Sequence, residues 1–261
     1  MYLFFYEKKL GIFFYFLLIF IKSQSPKLER DISILEVRYN FSYITDTLNI
    51  ESVVSEPMIL LANSNKSVYY SENYKAFSDG FKKQLETAIK TGSIVEPGKL
   101  LQSKVRHCVY KDNDSIYISN HLGNDFYTFR TENIHWKIDN LITKVIQGYK
   151  CTKAVAKVGK RIYIAWFTHE IPVNDGPYKF KGLPGLILEV SDEKKYFNFE
   201  FLSITKTNLP IEYKKGLLIT QVQYIEKRKE YINDPSQGKI NTPEYRKRIE
   251  ENKKKFNNFL E

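Results

Sequence analysis

Between Ala165 and Val190 the chain carries three of its nine prolines, Pro172, Pro177 and Pro184, and three of its twelve glycines, Gly176, Gly182 and Gly185. Each proline fixes its own φ, removes a donor and pushes the preceding residue out of the helical region. The glycines open backbone angles that other residues avoid. A helix cannot run through such a stretch. Tyr178, Phe180, Leu183, Leu186 and Ile187 make the same stretch apolar. It therefore reads as a stiff excursion with defined bends, folded back onto the strands that flank it.

Those flanks read as β. Residues 33–45 alternate, with Leu35, Val37, Tyr39, Phe41 and Tyr43 on one side and Glu36, Arg38, Asn40 and Ser42 on the other. This is the pattern of a half-buried antiparallel strand. Further strands are expected at 58–62, 66–71, 105–111, 115–121, 125–131, 134–138, 145–157, 160–168, 186–190 and 196–205. Reversals are expected at Asn63-Ser64-Asn65, Gly123-Asn124, Gly159-Lys160 and Asp192-Glu193-Lys194. Residues 161–168 are apolar on both faces, which predicts a central strand buried on both sides. With 19 Tyr and 18 Phe, the composition suits pleated surfaces better than a helical bundle.

Two segments follow a helical period. Phe77, Phe81, Leu85, Ala88 and Ile89 recur at helical spacing over 76–91, with Gly92 as the stop. That stripe is expected to face the core. Near the end, Thr242-Pro243 is a capping residue followed by a first-turn proline. It opens a basic helix with a sparse stripe of Tyr245, Ile249, Phe256 and Leu260. Residues 226–261 form a basic tail, whose charged face is either simply solvated or rests on anionic lipid or polysaccharide. The fold class that follows is mainly β: one large, twisted antiparallel sheet, in its most specific form a half-barrel around a helix. Helix 76–91 and the tail helix are expected against it.

Residues 1–23 have the form of an export signal. Lys8 and Lys9 precede the apolar run from Leu10 to Ile21, too short for the ~20 residues of a spanning helix. Ser23 and Ser25 are small, and Pro26 would obstruct a cut after Ser25, which favours cleavage after Ser23. An uncleaved anchor is the rival reading. No cysteine lies near residues 20–26, which excludes a lipid-modified N-terminal Cys. The net charge of +10 biases the protein towards anionic surfaces without specifying a fold. In an exported chain Cys108 and Cys151 either pair or stay as buried thiols, and sequence leaves both open.

The run Gly182-Leu183-Pro184-Gly185-Leu186-Ile187 resembles the hexapeptide that names the GLPGLI family. Gly148 to Ala154, Gly159 to Thr168, Ile171-Pro172 and Asp175 to Phe180 extend the resemblance, which is dense over residues 130–205. The family is known as exported proteins of Gram-negative Bacteroidota without an assigned activity. The resemblance implies export, to the periplasm or outer envelope, and a β-rich body over residues 24–225. It implies no catalytic residue.

Chemistry is sparsely written. His169-Glu170 lacks the second histidine of a zinc helix, and Pro172 stands where that helix would run. His107, His121 and His135 fall on separate expected strands, where structural roles outweigh metal ligation. No nucleophile elbow, phosphate-binding loop or redox Cys pair is present, and neither a cofactor nor nucleic acid is expected. Two function classes follow. One is a non-enzymatic envelope protein that holds an apolar ligand or a partner protein on a surface shaped by Trp166, Tyr178, Phe180, Leu183 and Leu186. The other is a hydrolase or metal-dependent enzyme using His169, Glu170 and Asp175.

Overall fold

The computed structural model describes residues 31–100 and 102–260, and the fold is that of the unit Ile32–Glu261. The expected export segment 1–23 lies outside the described residues. Twelve strands form one sheet: β1 (Leu35–Asp46), β2 (Asn49–Ala62), β3 (Ser67–Ser71), β4 (Cys108–Lys111), β5 (Ile116–Leu122), β6 (Asp125–Thr131), β7 (Lys137–Ile146), β8 (Tyr149–Val158), β9 (Arg161–Thr168), β10 (Leu186–Asp192), β11 (Phe197–Lys206) and β12 (Leu217–Leu218). Their spatial order is β12-β6-β5-β4-β3-β2-β1-β11-β10-β9-β8-β7. Every pairing is antiparallel except the short parallel contact of β12 with β6, so the sheet is mixed and open. The chain meanders outward from β1 to β6, starts again at the opposite edge with β7, and meanders inward to β11, which pairs with β1.

That restart forces the sheet to curl. On a flat sheet β6 and β7, ten strand spacings apart in this order, would be separated by roughly 48 Å at about 4.8 Å per strand. The connection from Thr131 to Lys137 can span only about 21 Å when fully extended. The two ends of the sheet are therefore drawn towards one another, so that the open sheet curls. Its inner face carries the core. Val37, Tyr39, Leu60, Tyr69, Val109, Ile118, Ala165 and Phe199 are all buried there. The alternation expected for β1 holds, with Val37, Tyr39 and Phe41 inside.

Among the described residues three α-helices accompany the sheet: α1 (Glu72–Thr91), α2 (Gln221–Asn233) and α3 (Pro243–Lys255). Ser71 caps α1, accepting from the Tyr74 N–H, and Gly92 ends it in the left-handed conformation. Contrary to the expected core-facing stripe, α1 buries no residue. Leu85 is 43% and Ile89 77% exposed. The helix lies mainly along β2 and β3, with Glu72 bonded to Arg38 on β1 and Tyr74 to His121 on β5, and the interior that its stripe would have filled is occupied by other segments. Helix α3 starts at the expected Thr242 cap and buries Ile249, whereas Phe256 is exposed.

Other elements differ from expectation. The strand expected over 145–157 is broken by a tight turn. Gln147 and Gly148 both have positive φ and separate β7 from β8. Strand β9 is not buried on both sides. Tyr163, Ala165 and Phe167 face the core, but Ile162 is 41% exposed, because no layer covers the outer face there. The expected basic helical tail, residues 226–261, holds two helices rather than one, because α2 begins ahead of it at Gln221 and ends at Asn233. The start of α2 is a capping box: Thr220 accepts from the Gln223 N–H, and the Gln223 side chain accepts from the Thr220 N–H.

Candidate functional site

Residues 169–185, between β9 and β10, fold into the interior of the curl. Tyr178, Phe180, Leu183 and Leu186 are each under 5% exposed. Phe180 packs its ring against Tyr163, Trp136 and Phe199. Polar anchors hold the segment on several sides. The buried Lys111 on β4 donates to the Gly176 carbonyl at 2.6 Å and pairs with Asp175 at 2.5 Å. Trp136 Nε1 donates to the Lys181 carbonyl, and Lys181 Nζ donates to the Asp112 carbonyl. Tyr39 on β1 donates to the Ile187 carbonyl at 2.8 Å. Burial pushes the Lys111 pKa down, and the Asp175 carboxylate opposes that shift.

The glycines meet specific backbone demands. A Cβ on Gly185 would sit 2.0 Å from the Thr168 carbonyl oxygen, and the residue has φ +147°. One on Gly176 would sit 2.7 Å from the Ile187 Cβ. The hexapeptide thus lies directly on the end of β9, where no side chain fits. Tyr178 is the unusual member. It is not glycine, yet it adopts φ +50°, a left-handed conformation that costs on the order of 1 kcal/mol or more.

Above Tyr178 lies a cavity of about 890 Å³. Phe41, Ile118, Phe129, Tyr178, Phe197 and Tyr224 supply its apolar wall. Helix α2 forms one side, with Tyr224 stacked on Phe129 at 4.4 Å between centroids and its hydroxyl accepting from the Asn120 side-chain amide. The β6–β7 crossing, the β8–β9 turn and the final residues Asn258 to Leu260 close the rest. Asn258 is fixed in place: its amide donates to the Ile44 carbonyl, and its side-chain oxygen accepts from Arg161.

The cavity is basic. Lys104 and Arg106 precede β4, Lys157 and Lys160 flank the β8–β9 turn, Lys179 comes from the buried loop, and Arg228 and Lys229 come from α2; among the described lining residues Glu132 is the single carboxylate. His107 is 9% exposed and packs its ring among Phe41, Tyr69 and Tyr178. Burial lowers its pKa to about 4, so it is neutral at pH 7. Its Nε2 has no hydrogen-bond partner.

The residues expected to shape a binding surface divide three ways. Tyr178 lines the cavity. Phe180, Leu183 and Leu186 are core, not surface, because the loop carries them inward. Trp166 points to the outer face, alternating with the inward Ala165 and Phe167, and lies under Lys144, which also pairs with Glu189. The residues named for catalysis do not converge. His169 is exposed, against the Phe167 ring. Glu170 accepts from the Lys150 N–H at 2.8 Å. Asp175 is held by Lys111 and accepts from the Gly176 N–H.

His107, His121 and His135 do line one cavity, yet among the described residues no group of His, Cys, Asp or Glu is placed to hold a metal ion. Cys108 and Cys151 are free thiols. Cys151 belongs to the inner core and Cys108 to a smaller apolar cluster with Ile59, Leu61 and Val68, on strands separated by six others. A bridge between them would have to cross the sheet. Burial pushes the thiols up to about 12 and about 11, respectively. Sequence reasoning missed the cavity's cationic ring and its α2 wall. The Thr220-x-x-Gln223 capping signature was the available signal for the helix.

Comparison with known proteins adds a family match and a fold match. A family model described as a protein of unknown function (Porph_ging), associated with Bacteroidota, matches residues 157–189. That span covers the end of β8, all of β9, the buried loop and the hexapeptide. No curated protein matches the chain. Two crystal forms of PNGF-II share the fold. One has TM-score 0.52 at 17% identity, covering 76% of this chain and 33% of that one. The other has TM-score 0.51 at 16% identity, covering 74% and 32%. The chain thus spans about a third of the length of PNGF-II.

Proposed function

We propose that this chain is an exported envelope protein of the GLPGLI type that binds a small ligand in the cavity between the inner face of its curled sheet and helix α2. One observation carries the reading: a cavity of about 890 Å³ with an aromatic floor, within the range of roughly 300–1,000 Å³ typical of small-molecule sites. The buried loop is the scaffold of that cavity. It fills the lower part of the curl and presents Tyr178 upward. Three features support a binding role over catalysis. The acids near the hexapeptide are engaged in structural contacts, His169 stands apart from them, and the cavity is walled mainly by rings and cations. Export rests on the composition of residues 1–23, and the basic face of α3 is offered to anionic lipid or polysaccharide.

Two measurements test this reading. Native mass spectrometry of the protein purified from its own envelope fraction should show a bound small molecule. Ile118→Trp, which fills the cavity wall, should abolish that adduct while the protein stays folded. An adduct-free wild-type protein that also fails to bind any amphiphile would refute the binding role. Sequencing of the mature N-terminus should begin at Gln24.

A further inference from the structure

We propose that the ligand is an amphipathic anion, whose oxyanion head is held by Arg228 beside Tyr178 and His107 and whose apolar body lies on Phe41, Ile118 and Phe129. This rests on the cavity being a ligand site and adds the ligand's chemistry.

The first argument is charge. Among the described residues, seven Lys or Arg side chains and one carboxylate line a single concavity. Clustered cations over low-dielectric walls repel one another and focus a positive potential into the cleft. An anion seated there relieves that repulsion, whereas a neutral ligand leaves it in place.

Arg228 supplies the second argument. One of its nitrogens donates to the Leu260 carbonyl at 3.2 Å, and the guanidinium lies 5.1 Å from the Phe259 ring centroid. Its remaining N–H groups have no partner among the described residues. The group is thus oriented by the chain terminus with donors to spare. A planar guanidinium held this way suits a carboxylate or phosphate, which can accept two parallel bonds. Arg228 lines the same cavity as Tyr178 and Tyr224.

Third, Nε2 of the nine-tenths buried His107 has no hydrogen-bond partner in the described structure. A buried polar group without a partner is costly to leave unsatisfied. His107 lines the cavity and touches Tyr178 with ring centroids 5.0 Å apart. The same residues meet an apolar wall, so a free inorganic anion would use only half of the site.

The experiment uses the full chain and three probes of equal chain length: dodecanoate, dodecyl phosphate and dodecanol, followed by calorimetry below their aggregation concentrations. Both anions should bind at least tenfold more tightly than the alcohol, about 1.4 kcal/mol. Their affinity should fall as salt rises. Arg228→Gln should weaken the anions about tenfold and leave the alcohol unchanged. Lys229→Gln, which touches no terminus contact, should weaken them to a lesser degree. Lys90→Gln, on exposed α1, should change nothing. The preferred anion distinguishes a carboxylate from a phosphate source. Equal binding of all three probes would overturn the anion proposal and leave the cavity reading standing. So would an unchanged anion affinity in a folded Arg228→Gln. Binding of none would overturn both.

Discussion

Lys111 and Asp175 form a buried ion pair in the middle of the curled sheet, with side chains 1% and 11% exposed. Replacing Lys111 with Met keeps much of the apolar stem and removes the charge. The Asp175 carboxylate is then left with only the Gly176 N–H, and the Gly176 carbonyl loses its 2.6 Å donor. Breaking a buried pair by removing one member typically costs about 3–5 kcal/mol, because the remaining charge stays desolvated. The surviving N–H bond places the expected loss near the lower end, about 3 kcal/mol. The double variant Lys111→Met/Asp175→Asn leaves no buried charge and should recover at least about 1 kcal/mol of that loss. Urea unfolding monitored by tryptophan fluorescence reads these differences through the transition midpoint, with the slope checked for constancy. A Lys111→Met chain that loses less than about 1 kcal/mol would refute the claim that this pair clasps the loop to β4. A double variant no more stable than the single one would refute its electrostatic basis.

Three further outcomes follow from the geometry. Gly185→Ala should destabilise the fold by at least about 2 kcal/mol in the same urea assay, since its Cβ would meet the Thr168 carbonyl oxygen at 2.0 Å at a φ that alanine avoids. Between pH 6.5 and pH 4 the unfolded chain protonates His107 while the folded chain, with its pKa lowered to about 4, does not; stability is therefore full above pH 6.5 and falls with acid by up to about 3 kcal/mol from this residue. Unfolding curves of the wild type minus those of His107→Leu should isolate that slope, and parallel pH profiles would contradict it. Thr220→Ala should cost about 1 kcal/mol by removing the α2 cap, lowering the melting temperature by roughly 2–4 °C and weakening any ligand that leans on Tyr224.

Strand identity was legible wherever one face meets solvent and the other the core. The alternation of β1 survives into the structure because Glu36 and Arg38 face outward, in contact with one another. The failures have physical causes. Strand β9 reads as buried on both faces because its outer residues Ile162 and Trp166 are apolar, and sequence does not say whether a layer exists to cover them. The α1 stripe reads as core-facing, yet its place in the interior is taken by residues 169–185, a competition between distant segments that periodicity cannot see. The Gln147-Gly148 turn escaped because only one of its residues is glycine and Val145 and Ile146 continue the apolar run. The cavity was least visible. Its cations come from four separate stretches of chain, and only the curl of the sheet brings them together.

Tyr178 joins the two halves of this architecture. Its backbone is held in a left-handed conformation by the clasp below it, and its ring forms the floor of the cavity above. The ring stacks in parallel with Phe199 at 6.3 Å and meets Phe180 and His107 edge-on. A side chain so enclosed cannot relax independently of its backbone. Loosening the Lys111–Asp175 clasp should therefore move Tyr178 and, through it, His107 and the anion-facing wall. The hexapeptide can then matter to ligand binding without touching the ligand. Lys111→Met at a urea concentration well below its transition should already show weakened dodecanoate binding, whereas Trp166→Ala, on the outer face, should not. A clasp variant that is folded, less stable and unimpaired in binding would separate scaffold from site and show that Tyr178 holds its position without the clasp.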